Sequence, residues 1–320
     1  MRRYSWIALI AVFVLFGVAL TQSVRTIISL SNEVSPRESD RNRRAHHISV
    51  FLPDQETRFF QQVRTGVDSV AERFDVAVSF HPVGPDSPEF DLARYSGIDG
   101  AIIYPRLPES AIRPRLDTLS ADGIPIVLIE RDVADDWPWT FVGTNNFEMG
   151  RRIGTQLSSG GPHSRVVVVY SDKSPAVAAE RELVELGINT SVDADADMAI
   201  ERRHTSLNPL DAEDLTYDLI RSSPAITALV FTDTDDTLAA LQVIIDLNVV
   251  GQVQVIGFGV NDTIVDYLDR GILDAAIAVN PQRIGIEAVR VLTELITTGN
   301  APSYVDTGVE ILRGATDAGS

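Results

Sequence analysis

The run Ile126-Val-Leu-Ile-Glu-Arg-Asp132 sets two side chains of opposite charge directly after four apolar residues. Glu130 offers carboxylate oxygens that accept hydrogen bonds, and Arg131 offers a planar fork of five N–H donors. Lys173, the single lysine of the chain, and Ser174 follow a second apolar run and could add donors. Glu130 also has the chemistry of a general acid or base, but no partner for it is identifiable by spacing. The chain has no Gly-x-Ser-x-Gly elbow, no phosphate-loop sequence and no His-Glu-x-x-His run, so the usual marks of hydrolase, nucleotide and zinc chemistry are missing. Five scattered histidines and no cysteine suggest no metal cluster. Asp193, Asp195 and Asp197 alternate like the start of a calcium loop, yet Met198 stands where the glycine belongs and His204 where the bidentate glutamate belongs. No cofactor and no metal are therefore expected.

The elements that must position these residues read as alternating strands and helices. Short apolar runs at 47–53, 76–80, 100–104, 126–129 and 141–142 suit strands. Between them Phe59, Val63, Val67, Val70 and Phe74 recur at helical spacing, and 87–95 and 109–121 read as further helices. After Asn145 the alternation resumes, with strands expected at 166–170, 198–202, 228–231, 254–258, 274–279 and 304–312. The helices there are expected at 145–158, 176–186, 212–221, 236–247, 263–269 and 284–297. Repeated βα units of this length imply parallel sheets covered by helices on both faces, and two such sheets need two lobes. Ligands of open parallel sheets lie beyond the carboxyl ends of the strands. The loops after Leu52, Ile129, Tyr170, Phe231, Phe258 and Val279 are therefore the expected lining of a pocket.

At 320 residues, with 44% hydrophobic and 22% charged residues, the chain has room for two lobes. A formal charge of -18 argues against a nucleic-acid partner, which requires clustered Lys and Arg. Arg2 and Arg3 precede an apolar run from Trp6 to Leu20, a positive n-region leading into a hydrophobic one, and imply export. Residues 4–24 approach the roughly 20 residues that span a bilayer. The expectation is a signal peptide or an uncleaved anchor over 1–24, with the rest of the chain on the outer face of the cytoplasmic membrane. Residues 25–45 read as a linker, in which Arg41, Arg43 and Arg44 could touch anionic head groups.

Several segments, in order, resemble the type I periplasmic-binding-protein superfamily, nearest to its ribose- and xylose-binding branch. They are Gly97-Ile-Asp-Gly-Ala-Ile-Ile-Tyr, Gly123-Ile-Pro-Ile-Val-Leu-Ile-Glu-Arg, Ala228-Leu-Val-Phe-Thr-Asp-Thr-Asp-Asp, Val255-Ile-Gly-Phe-Gly and Asp306-Thr-Gly-Val. The resemblance covers about 48–312. It implies an α/β fold of two doubly wound parallel-sheet lobes joined by three crossovers near Thr144, Asn280 and Ser303, with the ligand cleft between lobes. The first lobe would comprise 46–144 and 281–302, the second 145–280 and 303–314, with a tail at 315–320. The same fold forms the sensor half of sugar-responsive repressors, but here a hydrophobic segment stands where a helix-turn-helix would be.

The resemblance also implies a monosaccharide or similar polyol as ligand. Sugar recognition needs planar hydrogen-bonding groups and aromatic faces over C–H surfaces. Glu130 and Arg131 match the family's charged pair, usually Asp-Arg. Phe59 and Phe60 match its aromatic pair, one expected to face the cleft and the other the core, with Gln55 and Arg58 in the loop before them. Asp233 matches a polar position that meets ligand hydroxyls, while Asp235 and Asp236 are expected to begin the next helix as caps and first-turn acids. The chain departs from the pattern at Gly259, where an acid is usual and Asn261, two residues on, is the expected substitute; at Val279, with Asn280 one place later; and at Ala179, where an arginine is usual. The resemblance implies a binding protein and not an enzyme, with an enzyme on the same scaffold as the remote alternative. The implied partner is an ABC-type permease or, alternatively, a membrane sensor kinase.

Overall fold

A computed structural model of the chain describes residues 44–54, 57–84, 88–131, 138–159, 165–174, 177–178, 180–192, 198–222 and 226–314. The chain divides into two units, Met1–Ala45 and His46–Ser320. The expected signal segment, nearly all of the linker, the calcium-like aspartates, Ala179 and the tail lie outside the described residues. No helix among the described residues is long and apolar enough to cross a membrane.

The second unit holds two six-stranded sheets. The first is built from β1 (His46–Pro53), β2 (Val76–Val83), β3 (Gly100–Ile103), β4 (Ile126–Ile129), β5 (Thr140–Gly143) and β11 (Tyr304–Asp306), in the order β11-β5-β4-β3-β1-β2 and parallel throughout. The second is built from β6 (Arg165–Ser171), β7 (Ala199–Thr205), β8 (Ala228–Phe231), β9 (Gln254–Phe258), β10 (Ala275–Ala278) and β12 (Glu310–Leu312). Its order is β12-β10-β9-β8-β6-β7, parallel except for β12 against β10. Both sheets are packed on both faces, which explains the unbroken apolar runs. In β1, Ile48, Val50 and Leu52 enter one core and Phe51 the other. In β6, Val166, Val168 and Tyr170 face one core and Val167 and Val169 the opposite one. Alternating side chains on a strand point to opposite faces, so the interior of a strand covered twice is mostly apolar.

Helices α1 (Arg58–Ala71), α2 (Glu89–Ala93) and α3 (Glu109–Ala121) belong to the first lobe, as does α9 (Pro281–Thr298), whose Ile284, Ala288, Val289, Val291 and Leu292 join the β1 core. Helices α4 (Asn146–Ser159), α5 (Arg181–Ser191), α6 (Asp211–Ser222), α7 (Thr234–Asp246) and α8 (Asp262–Asp269) belong to the second. Each lobe has one pair of helices in backbone contact through glycines. A methyl group on Gly66 of α1 would strike the carbonyl of Gln282, and one on Gly285 of α9 that of Val63. In the second lobe the same holds for Gly150 of α4 against Val184 and Gly187 of α5 against Phe147. These contacts bring α9 onto the first lobe although the chain reaches it from β10.

The chain passes between sheets after β5, after β10 and again between β11 and β12. The last crossing corrects an expectation. The single strand foreseen over 304–312 is two strands in different sheets, because Tyr304, Val305 and Asp306 pair with Phe141, Val142 and Gly143, whereas Glu310, Ile311 and Leu312 pair with Ala278, Ile277 and Ala276. Gly308, at φ 82°, makes the bend between them. The third crossing therefore lies at Thr307–Val309 and not at Ser303. The helix expected around 176–186 runs further, with 177–178 helical and α5 ending at Ser191.

A candidate ligand cleft between the lobes

The carboxyl ends of the strands from both sheets open onto a cleft of about 720 Å³. The first lobe contributes Arg58, Phe59 and Gln62 from α1 and the first turn of α9. The second contributes Ser174 after β6, Asp233 to Asp235 after β8, and Phe258 to Asn261 after β9. The third crossing, Thr307 to Val309, closes one side.

Of the residues expected from sequence, Arg58, Phe59, Asp233, Asn261 and Asn280 line this cleft. Arg58 reaches across it, its guanidinium 3.4 Å from the Asp235 carboxylate on the other lobe. Three of the five are helix N-caps. Asp233 Oδ1 accepts from the backbone N–H of Asp235 and Asp236 at 2.9 and 3.2 Å, Asn261 from Ile264 at 2.8 Å, and Asn280 from Arg283 at 2.9 Å. Capping of α7 therefore falls to Asp233, and Asp235 and Asp236 stand in its first turn as the acids expected there. The second Asp233 oxygen accepts from the Ser174 hydroxyl at 2.9 Å. Burial, together with the nearby charge of Asp236, raises the Asp233 pKa.

Other expected contacts are engaged elsewhere. Phe60 is buried, edge-on to Tyr104 at 5.0 Å and to Phe59 at 5.2 Å, because it belongs to the apolar face of α1. Arg131 donates to the carbonyls of Pro105 and Arg106 at 3.1 and 3.2 Å, so its fork holds a loop of its own lobe. Lys173 places its ammonium 2.6 Å from the buried Asp236, whose other oxygen accepts from Thr205. That pair lies between sheet and helices of the second lobe, not in the cleft. Gln55 lies outside the described residues.

Glu130 occupies a distinct position. It has φ 63°, a left-handed conformation rare outside glycine, at the turn leaving β4. Its carboxylate is buried and Oε1 accepts from the Thr144 backbone N–H at 2.8 Å and the Thr144 hydroxyl at 3.0 Å. Thr144 is the first crossing, so this carboxylate fastens β4 to a connection between lobes. Burial outweighs these hydrogen bonds and pushes the Glu130 pKa up to about 7. Glu130 borders a second space of only about 10 Å³ beside Phe59, Ser174, Val177, Phe258 and Val279. That is the lower limit for one water molecule.

Sequence reasoning missed Thr307, Gln62, Arg152 and Arg283, all of which line the cleft. Thr307 stands in the quoted Asp306-Thr-Gly-Val segment, and a polar residue beside a bend glycine was the available signal. Among the described residues no group of three or more metal-ligating side chains occurs.

Two α/β lobes with a cleft at their strand ends define a binding fold of the two-lobed periplasmic kind. Residues 48–301 match the family model of the periplasmic binding protein domain, and the chain belongs to that family. Similar solved structures include GanP, a glucose-galactose binding protein from Geobacillus stearothermophilus (TM-score 0.71, 20% identity, covering 86% of this chain and 99% of that one). An ABC transporter solute binding protein from Mycobacterium smegmatis with bound glycerol aligns with TM-score 0.73, 20% identity and coverage of 84% and 94%. A chain of the XylFII-LytSN complex aligns with TM-score 0.69, 20% identity and coverage of 84% and 97%. These likenesses concern the fold. No curated protein matches the chain.

Proposed function

We propose that the protein is an extracytoplasmic solute-binding protein that closes two lobes over a monosaccharide or similar polyol and presents it to an ABC-type sugar permease, without catalysing a reaction. The observation that carries this reading is the cleft itself. Both lobes line it, an aromatic face from Phe59 stands on one wall, and amide groups of Asn261 and Asn280 stand at the strand ends of the other. The N–H donors of those two amides have no hydrogen-bond partner among the described residues. A ligand held by both walls favours the closed population and so creates an outer surface that a partner can read. The charged N-terminal run followed by an apolar segment supports export, and anchoring by 1–24 is part of the proposal.

A second reading replaces the permease by a membrane sensor kinase that reads the closed form. It is favoured by the apolar segment at 4–24, since a tethered binder need not shuttle, and by the likeness to a chain of the XylFII-LytSN complex.

The test is a thermal-shift screen of the purified full-length chain against pentoses, hexoses and polyols. A solute that binds only the native form raises the melting temperature, by RT ln(1 + [L]/Kd) in free energy. A shift with one member of the panel supports the binding role. No shift with any of them removes the sugar reading.

A further inference from the structure

The charges around the cleft are unevenly divided between its walls. Helices α1 and α9 open into it from the first lobe, and neither has an acid in its first turn. Each has an arginine there instead, Arg58 and Arg283. On the opposite wall α7 begins with Asp235 and Asp236, and α8 with Asp262. A helix N-terminus carries a partial positive charge, so an arginine in its first turn is unfavourable unless an anion is bound there. The Arg283 guanidinium has no partner among the described residues, and Arg58 meets only the exposed Asp235.

Three arginines line the cleft, Arg58, Arg152 and Arg283, against three acids, Asp233, Asp235 and Glu310. The lining is therefore formally neutral in a chain whose net charge is -18. The second lobe adds Phe258, Gly259 and Val279 to the lining, none of which offers a side-chain hydrogen bond.

A second, independent feature points to a ligand. Thr307 is only 3% exposed and lines the same cleft, yet its Oγ1 has no hydrogen-bond partner. Its backbone N–H is fixed by the carbonyl of Gly143 at 2.9 Å, so the residue is held in place. A buried hydroxyl without a partner is uncommon and requires an explanation.

Building on the sugar-site reading, we propose that the solute is a monosaccharide-sized carboxylate, a sugar acid, with its carboxylate held by Arg283 and Arg58 at the α9 and α1 N-termini and a hydroxyl held by Thr307. A guanidinium fork binds a carboxylate through two parallel hydrogen bonds, and the helix ends add their dipoles without competing for its oxygens.

Isothermal titration of the full-length chain with D-glucuronate, D-galacturonate, D-glucose and D-galactose tests this. A uronate is expected to bind about tenfold or more tighter than its neutral counterpart, the scale of one charge-assisted bidentate pair. Raising salt from about 50 to 500 mM should weaken uronate binding selectively. Arg283→Gln, an exposed position, should lower uronate affinity about tenfold and flatten the salt dependence. Thr307→Val keeps the side-chain shape and should also weaken the uronate. A neutral sugar that binds as tightly as its uronate, or unchanged uronate affinity in R283Q, overturns the carboxylate assignment and leaves the sugar site standing. Unchanged affinity in T307V overturns the role of Thr307. If neither class of sugar binds, the sugar site itself falls and the assignment with it.

Discussion

Glu130 offers the sharpest test of the site's physical description, because its environment opposes its charge. The group is 2% exposed and its pKa rises from an ordinary 4.5 to about 7 on folding. A carboxyl whose folded pKa is raised binds its proton more tightly when folded. Its contribution is therefore fully present below pH 4.5 and lost as pH rises through about 7. The full shift corresponds to about 3 kcal/mol, of which about 2.5 kcal/mol disappears between pH 5 and pH 8. Glu130→Gln keeps an oxygen for the Thr144 N–H and removes the titration. Urea unfolding of both proteins at pH 5 and pH 8 should show the wild type losing about 2.5 kcal/mol more than the variant over that interval. In melting temperature the differential is about 5–10 °C for a domain of this size. Other titrating groups, including Asp233 with its raised pKa, are common to both proteins and cancel in the difference. Parallel pH dependences would mean that Glu130 ionises normally, and the account of a buried carboxylate fastened to the crossing at Thr144 would be wrong.

Two further predictions concern a buried ion pair and a helix contact. Lys173→Met leaves the carboxylate of Asp236, 1% exposed, without its cation; stability should fall by about 3–5 kcal/mol, and the double variant with Asp236→Leu should recover much of it. Equal urea midpoints for wild type and Lys173→Met would place that pair in solvent. Gly285→Ala forces a methyl group against the Val63 carbonyl and should cost about 1–3 kcal/mol despite alanine's better helix propensity. A stabilised variant would mean that α1 and α9 are not in backbone contact.

How much of this was legible in the sequence follows from how each signal arises. The strands at 126–129, 228–231 and 254–258 match the expected bounds because central strands covered on both faces are built mostly from apolar side chains. The last strand misled because Val305 and Ile311 fit one alternating pattern, and nothing local says that they pair in different sheets. Only Gly308 marks the break. Site residues were harder still. Lys173 finds its carboxylate 63 residues away, and Arg131 finds carbonyls 25 and 26 residues back, partners that no spacing rule identifies.

The polar residues after β8, β9 and β10 show why position alone does not assign a ligand contact. In a parallel sheet the residue leaving a strand is also the one that starts the next helix, and helix starts select Asp, Asn, Ser and Thr whether or not a ligand is present. What separates a contact from a cap is hydrogen-bonding capacity left over after capping. Asp233 has both oxygens occupied, by α7 and by Ser174. Asn280 uses its oxygen for α9 and keeps two N–H donors at the cleft. Asn280→Asp preserves the cap acceptor and adds a charge that the helix end favours, so stability should hold or rise by about 0.3–1 kcal/mol. The same change deletes both donors and sets a negative charge in the cleft. Solute affinity should fall at least about tenfold, a loss of about 1.4 kcal/mol, while the melting temperature of the free protein does not fall. Equal affinity in wild type and N280D would show that Asn280 is a cap and nothing more, and would leave the arginines and Thr307 to define the site.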